Sequence, residues 1–353
     1  METATGGLLR FPRFLRAFLA SIRSQQSLRA ASPPNLLYPE IRLSDAWLAL
    51  LLAALLLSLR IALERFVFPR LFPQFPARKR GKLSENLFYA AYYTATFAYF
   101  AAAVLPHAEW TAPLLDNRPI VVRGLIHPFP PPMSEREHWY YAQSMGFYMS
   151  AAAFLLLFDG RRSDFAELIL HHTVTIGLVG MSYAYGYVRA GMVIMALHDV
   201  GDIFLYSAKA IHYLGFAGFD TAVFAVFTVV FYVTRLVMFS RMVHTILVET
   251  LQVVVEEPAF NRWAMFYDTY LPHYAFFVVC LSTLLFLHCF WMALILRMIH
   301  RELFLGNKIS DQGDIRSDHG SEDGGDDRNH DALFEDAPGH EGDVGAVLGK
   351  KRM

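Results

Sequence analysis

Charge is scarce in this chain, and so are cysteine and regularly spaced histidine. Of 353 residues only 18% are Asp, Glu, Lys or Arg, against 55% hydrophobic, and the charges gather between long uncharged runs. An ordinary soluble domain, with a charged share of about 25%, is excluded. The expectation is an all-α polytopic membrane protein. The two cysteines, Cys280 and Cys289, stand nine residues apart in one expected helix, about 13 Å and beyond disulfide reach. They report nothing about redox compartment. No two of the 14 histidines are four residues apart and one pair is adjacent, so the repeated histidine spacings of a membrane di-iron hydroxylase or desaturase are missing. No bound metal or cofactor is expected. The net charge of -1 divides unevenly: 12 of 32 acids and 6 of 31 bases lie after position 305, leaving +5 before it and -6 in the tail. Acid is therefore confined to a tail, and no nucleic-acid partner is expected.

The apolar runs predict seven membrane helices at 46–63, 87–105, 139–158, 167–187, 192–214, 222–247 and 273–296, each near the length that crosses a core of about 30 Å. Arg60 near the end of the first is expected to snorkel. The following stretch, with Arg65, Arg70, Arg78, Lys79, Arg80 and Lys82, is cytosolic by the positive-inside rule. That places 160–162, Lys209 and the C-terminus in the cytosol, whereas the Arg-rich start of the chain counts against this orientation. Within an N-terminal basic segment, 1–45, two readings stand for residues 1–30, a transit peptide or an interfacial amphipathic helix. The stripe Phe11, Phe14, Leu15, Phe18, Leu19 favours the second. Residues 106–138 are a Pro-rich loop, and 306–353 is an acidic segment too poor in apolar residues to order. Domain limits follow at 46–84, the first helix and basic loop, and 85–305, a six-helix domain.

Residues 164–214 carry the unusual chemistry. His171 and His172 lie in one apolar run, and His198, Asp199 and Asp202 in the next. Ionisable groups at a membrane helix centre cost about 2.5–3.5 kcal/mol on insertion scales. The pair falls about 10 Å below one surface; Asp202, about 18 Å from the other, leaves about 12 Å of the core. The two sites share a depth, and His198 and Asp202 share a helix face. Arg235 and His288 sit mid-span in later helices. Arg235 is expected to pair with an acid such as Asp199, and His288 to pack or hydrogen-bond.

The pair His171-His172, followed by Leu197-His198-Asp199-Val200-Gly201-Asp202-Ile203-Phe204-Leu205, resembles the Lag1 motif of ceramide synthases in the TLC (TRAM, Lag1, CLN8) family. Trp139-Tyr140-Tyr141, Phe147-Tyr148, residues 159–165, Thr234-Arg235-Leu236 and His288-Cys289-Phe290-Trp291 extend the resemblance over about 85–305. Gly201 departs from it, standing where Ser or Ala is usual, and no homeobox-like insert follows the first helix. The resemblance implies N-acylation of a long-chain sphingoid base by a fatty acyl-CoA co-substrate, an endoplasmic reticulum membrane and a homo- or heterodimer. It further implies a six-helix barrel with the first helix outside and chain-length choice at 256–272.

Acyl transfer to an amine needs a base, an oxyanion donor and exclusion of water. His171, His172, His198, Asp199 and Asp202 are the catalytic candidates, with carboxylates orienting the imidazoles and an acyl chain carried on one of the paired histidines. Arg161 and Arg162 are candidates for CoA phosphates or plain positive-inside anchors. Arg235, His288 and Trp291 are further substrate-binding candidates. A non-catalytic lipid-binding or membrane-insertion protein of the same family and a zinc-dependent membrane amidase are the alternatives. The tail resembles ceramide synthase tails at Asp314-Ile315-Arg316-Ser317-Asp318, where Ser317, and beyond it Ser321, suit an acid-directed kinase. The closing Lys350-Lys351-Arg352-Met353 matches the dilysine signal that coat proteins read for return to the reticulum.

Overall fold

The computed structural model describes residues 41–107, 132–158, 164–216, 218–249 and 271–305. Outside these fall the Arg-rich start, Arg161 and Arg162, most of the Pro-rich loop, nearly all of the 256–272 segment, and the tail with Ser317, Ser321, Lys350 and Lys351. Within the described residues all regular structure is helical. Helix α1 is Leu43–Ala62, prolonged through Leu63–Val67 to Phe68–Leu71; α2 is Ala77–Tyr99, prolonged through Phe100–Val104 to Leu105–His107. Then come α3 (Glu135–Leu157), α4 (Phe165–Tyr185) and α5 (Val188–Leu214). Helix α6 joins Phe219–Phe231, Tyr232–Met238, Phe239–His244 and Thr245–Glu249, and α7 is Leu271–Leu305.

Five of these, α1, α2, α4, α6 and α7, are long and apolar enough to cross a membrane. The protein is thus an all-α, multi-pass membrane protein. Helices α3 and α5 have the length, 23 and 27 residues, and their buried positions include His138, Ser144 and Ser150 on α3 and His198 and Asp199 on α5.

Local chemistry sets the ends. Ser134 and Glu137 cap α3 reciprocally, the hydroxyl accepting from the Glu137 amide and the carboxylate from the Ser134 amide at 2.7 Å, which satisfies donors a helix start leaves open. Gly186 closes α4 at φ 77°, a left-handed conformation that costs glycine little. The chain then turns within two residues into α5, so α4 and α5 form a hairpin and the two histidine-bearing segments become neighbours. Helix α2 starts ten residues before the expected 87, after Pro76 at its N-cap. Much of the basic loop is consequently its first turns.

Helix α1 packs along α3, and α2 along α5. At Gly146 of α3 an added Cβ would lie 2.8 Å from the Ala49 carbonyl oxygen and 2.9 Å from Leu52 Cβ, so glycine is what lets the backbone of α1 approach. Arg60 does not snorkel. It is buried at 5% exposure, donates to the Tyr89 hydroxyl, lies 3.3 Å over the Phe154 ring and pairs with Glu85 at 3.7 Å. Aromatic faces and a carboxylate offered this cation more than the interface did. Beside it Tyr89, Tyr93 and Phe147 are buried in a tier with Tyr92 and Tyr206, Tyr92 stacking on Phe147 at 3.6 Å and 6°.

Candidate active site

Paired histidines occupy the second turn of α4. His172 donates from Nδ1 to the Leu168 carbonyl at 2.8 Å; because a carbonyl only accepts, the neutral ring presents its lone pair at Nε2. The His171 ring stands nearly perpendicular to it, at 5.7 Å and 89°, and touches the Trp291 indole of α7 at 5.3 Å. On α5, His198 repeats the arrangement of His172, donating from Nδ1 to the Ile194 carbonyl at 2.7 Å. Imidazole orientation here comes from each helix's own backbone, where the sequence led us to expect carboxylates.

Helix α6 brings Arg235 against α5 from within its π-helical stretch Tyr232–Met238, a distortion that often marks functional sites. Arg235 is buried, at 3% exposure. It donates to Asp202 at 2.8 Å and to the His198 carbonyl at 3.0 Å. The expected partner, Asp199, instead receives the Tyr140 hydroxyl at 3.4 Å. Three residues apart, the two acids point about 60° from one another around α5, enough for Asp199 to meet α3 while Asp202 faces α6. Gly201 lies under the same guanidinium, where an added Cβ would sit 3.4 Å from Arg235 Nε, which is ordinary contact.

His288 of α7 is fully buried. Its Nε2 lies 3.2 Å from His198 Nε2 and 3.3 Å from Arg235 Nη1, so it is more than packing. Ring contacts run from His171 to Trp291, from Trp291 to His288 at 6.4 Å, and from His288 to His198 at 5.0 Å. The structure thus joins His171, His198, Asp202, Arg235, His288 and Trp291 across four helices, with His172 beside His171 and Asp199 turned aside.

Several buried polar atoms in this group have no hydrogen-bond partner: His171 Nδ1, Thr175 Oγ1, Arg235 Nε, His288 Nδ1 and Trp291 Nε1. Each such atom costs about 1–3 kcal/mol unless a ligand or water meets it. Thr175 shows the anomaly best. Thr94, Thr228, Thr234 and Thr283 each donate to the carbonyl four residues earlier, at 2.7–3.0 Å, but Thr175 does not. Its spacing of four from His171 was visible in the sequence; its unsatisfied hydroxyl was not. Among the described residues no three His, Cys, Asp or Glu side chains converge as metal ligands.

Residues 82–297 match the model of the TLC domain. The chain belongs to the TLC family. Within that domain the match takes in every described group of the site. Relatives include mouse ceramide synthase 4, 36% identical over 54% of this chain and 44% of its own length. Ceramide synthase hyl-1 of Caenorhabditis elegans is 33% identical over 67% and 61%. The Alternaria stem canker resistance protein 1 of tomato (Solanum lycopersicum) is 33% identical over 52% and 57%. The chain spans less than half the length of the mouse relative.

Proposed function

We propose that this TLC protein is a ceramide synthase, joining the acyl group of a fatty acyl-CoA to the amine of a long-chain sphingoid base. The observation that carries the reading is the His171–Trp291–His288–His198 ring series inside a TLC domain, ending on Arg235 and Asp202. Its relatives named ceramide synthases support the substrates. In this reading acyl-CoA arrives from the cytosol, with Arg161 and Arg162 on its phosphates. A nitrogen of His171 attacks the thioester carbon, and CoA leaves. His172, with its lone pair at Nε2, takes the proton that the acylated imidazole sheds and hands it to the departing thiolate.

The indole N–H of Trp291 is a donor without an acceptor on the ring neighbour of His171, and suits the oxyanion that forms on the acyl carbon. Thr175, one turn further along α4, offers a second donor, its hydroxyl, to the substrate. Asp202 holds Arg235, which steadies the His198 segment through its carbonyl. The bundle interior keeps water from the acyl-histidine. No step calls on a metal. Chain-length choice falls to 256–272, and the protein works in the endoplasmic reticulum membrane with a cytosolic C-terminus, as a dimer returned by coat proteins through Lys350 and Lys351.

Purified full-length protein given sphinganine and acyl-CoAs of several lengths is expected to release N-acyl sphinganine and CoA in equal amounts. Lipid binding without product, over all lengths tried, would replace the enzyme with a lipid-binding protein.

A further inference from the structure

The ceramide synthase reading leaves open which group takes the proton from the attacking amine. His198 Nδ1 carries a hydrogen, because it lies 2.7 Å from a carbonyl that only accepts. Its neutral ring therefore shows a lone pair at Nε2. The Nε2 of His288 faces it at 3.2 Å and also lies 3.3 Å from Arg235 Nη1, which can only donate. A proton on His288 Nε2 completes the contact with His198, whereas one on Nδ1 completes the contact with Arg235. In the first tautomer the guanidinium is held through Nη2 by Asp202 and the His198 carbonyl, and His288 keeps a lone pair at Nδ1, buried and without a donor. Histidine is the side chain that can accept at one nitrogen while releasing at the other.

We infer that His288 accepts the amine proton at Nδ1 and passes its Nε2 proton to His198, so that the two imidazoles act as one base. This rests on the ceramide synthase reading and deepens it. As the amine nitrogen bonds to the acyl carbon, its proton moves to His288 Nδ1 and the Nε2 proton of His288 moves to His198 Nε2. When the tetrahedral intermediate collapses, the bond from acyl carbon to His171 breaks. The proton returns along the same path to the departing imidazole, and all three rings end neutral. The positive charge rests meanwhile on His198, whose carbonyl Arg235 holds at 3.0 Å; the guanidinium disfavours a lasting charge there, which favours that return, and Asp202, 2.8 Å from the guanidinium, offsets part of it.

His288→Gln keeps an N–H donor near the position of Nε2 and removes the base. Full-length protein is loaded with palmitoyl-CoA, then mixed with sphinganine or with hydroxylamine, which needs little base assistance, and followed by intact mass. The variant is expected to take up the acyl chain as the wild type does and to pass it to sphinganine about 10²–10⁴-fold more slowly. Hydroxylamine should discharge both alike. Transfer to sphinganine at the wild-type rate overturns the relay, as does equal slowing with both nucleophiles.

If the variant does not fold, the wild type suffices. Two protons in flight give a bowed dependence of the transfer rate on deuterium fraction, and a straight line overturns the proposal. A wild type that turns over without carrying the chain overturns the acyl-histidine reading instead, and the same deuterium series on kcat then decides the relay. A wild type that makes no N-acyl sphinganine removes the ceramide synthase reading and the relay together.

Discussion

Two polar clusters sit about 18 Å apart along α4, twelve residues from His171 to Tyr183, and they are built on opposite principles. Near the end of α4, Asp45 of α1 accepts from His138 of α3 at 2.7 Å and from Tyr183 at 2.5 Å, while at the rim Arg42 grips Glu135 at 2.7 Å. These groups satisfy one another across three helices and leave one buried atom, His138 Nε2, without a partner. Near the start of α4 the imidazoles of His172 and His198 bond to their own backbones, and five buried atoms around them go unmatched. The first cluster is a clasp holding α1 to the bundle. The second leaves those atoms without a protein partner. Burial and polarity are common to both; the difference lies in which atoms remain unpaired.

Substitutions can break this contrast. The largest effect is expected from His172→Ala and Asp202→Asn, each lowering ceramide formation by about 10²–10⁴-fold while the protein still inserts. Asn keeps an oxygen for Arg235, so its yield on membrane purification should match the wild type. Turnover near normal in either variant would remove these residues from the chemistry. Asp45→Ala should do the reverse: loss of the shared acceptor leaves His138 Nδ1 and the Tyr183 hydroxyl only the longer contact with each other, 3.2 Å, lowering stability by about 1–3 kcal/mol with turnover per folded molecule unchanged. A thermal-unfolding midpoint unmoved from the wild type would mean that the clasp does not hold α1.

Thr175→Val is a finer probe. The hydroxyl has no protein partner, so its removal should not lower the unfolding midpoint, whereas ceramide formation should fall about 10-fold, the equivalent of one hydrogen bond of about 1.4 kcal/mol. A lowered midpoint with normal kinetics would make Thr175 structural. The smallest effect belongs to Gly201→Ala. Its methyl would meet Arg235 and Thr234 at 3.4–3.7 Å, so stability and activity should stay within about 0.5 kcal/mol; a collapse of activity would show that Arg235 needs that space.

Much of this was legible in sequence because a few forces decide it. Long apolar runs fix the helices, and the cost of ionisable groups in a membrane singles out His171, His172, His198, Asp199 and Asp202 from the sequence alone. Arg235 and His288 stood out as polar groups mid-span in later helices, Trp291 came from the family resemblance alone, and the structure brings all three to the same place. The partners were not legible. Asp199 and Asp202 are three residues apart, and which of them faces Arg235 depends on how α5 is rotated against α6, a matter of packing over the whole bundle. Arg60 was read as an interface residue because its position in α1 is known from sequence but the approach of Tyr89, Phe154 and Glu85 is not. The π-helical stretch that presents Arg235 has no signature in its residues, and an unpaired hydroxyl such as that of Thr175 exists only relative to neighbours.

In the proposed reaction the unmatched cluster carries an acyl chain on His171. Intact-mass measurement of the purified protein after incubation with palmitoyl-CoA alone probes that step. One added acyl chain is expected, released as N-acyl sphinganine when sphinganine is supplied and absent from His171→Ala. A mass that never changes while ceramide accumulates, or an adduct that survives in His171→Ala, contradicts it.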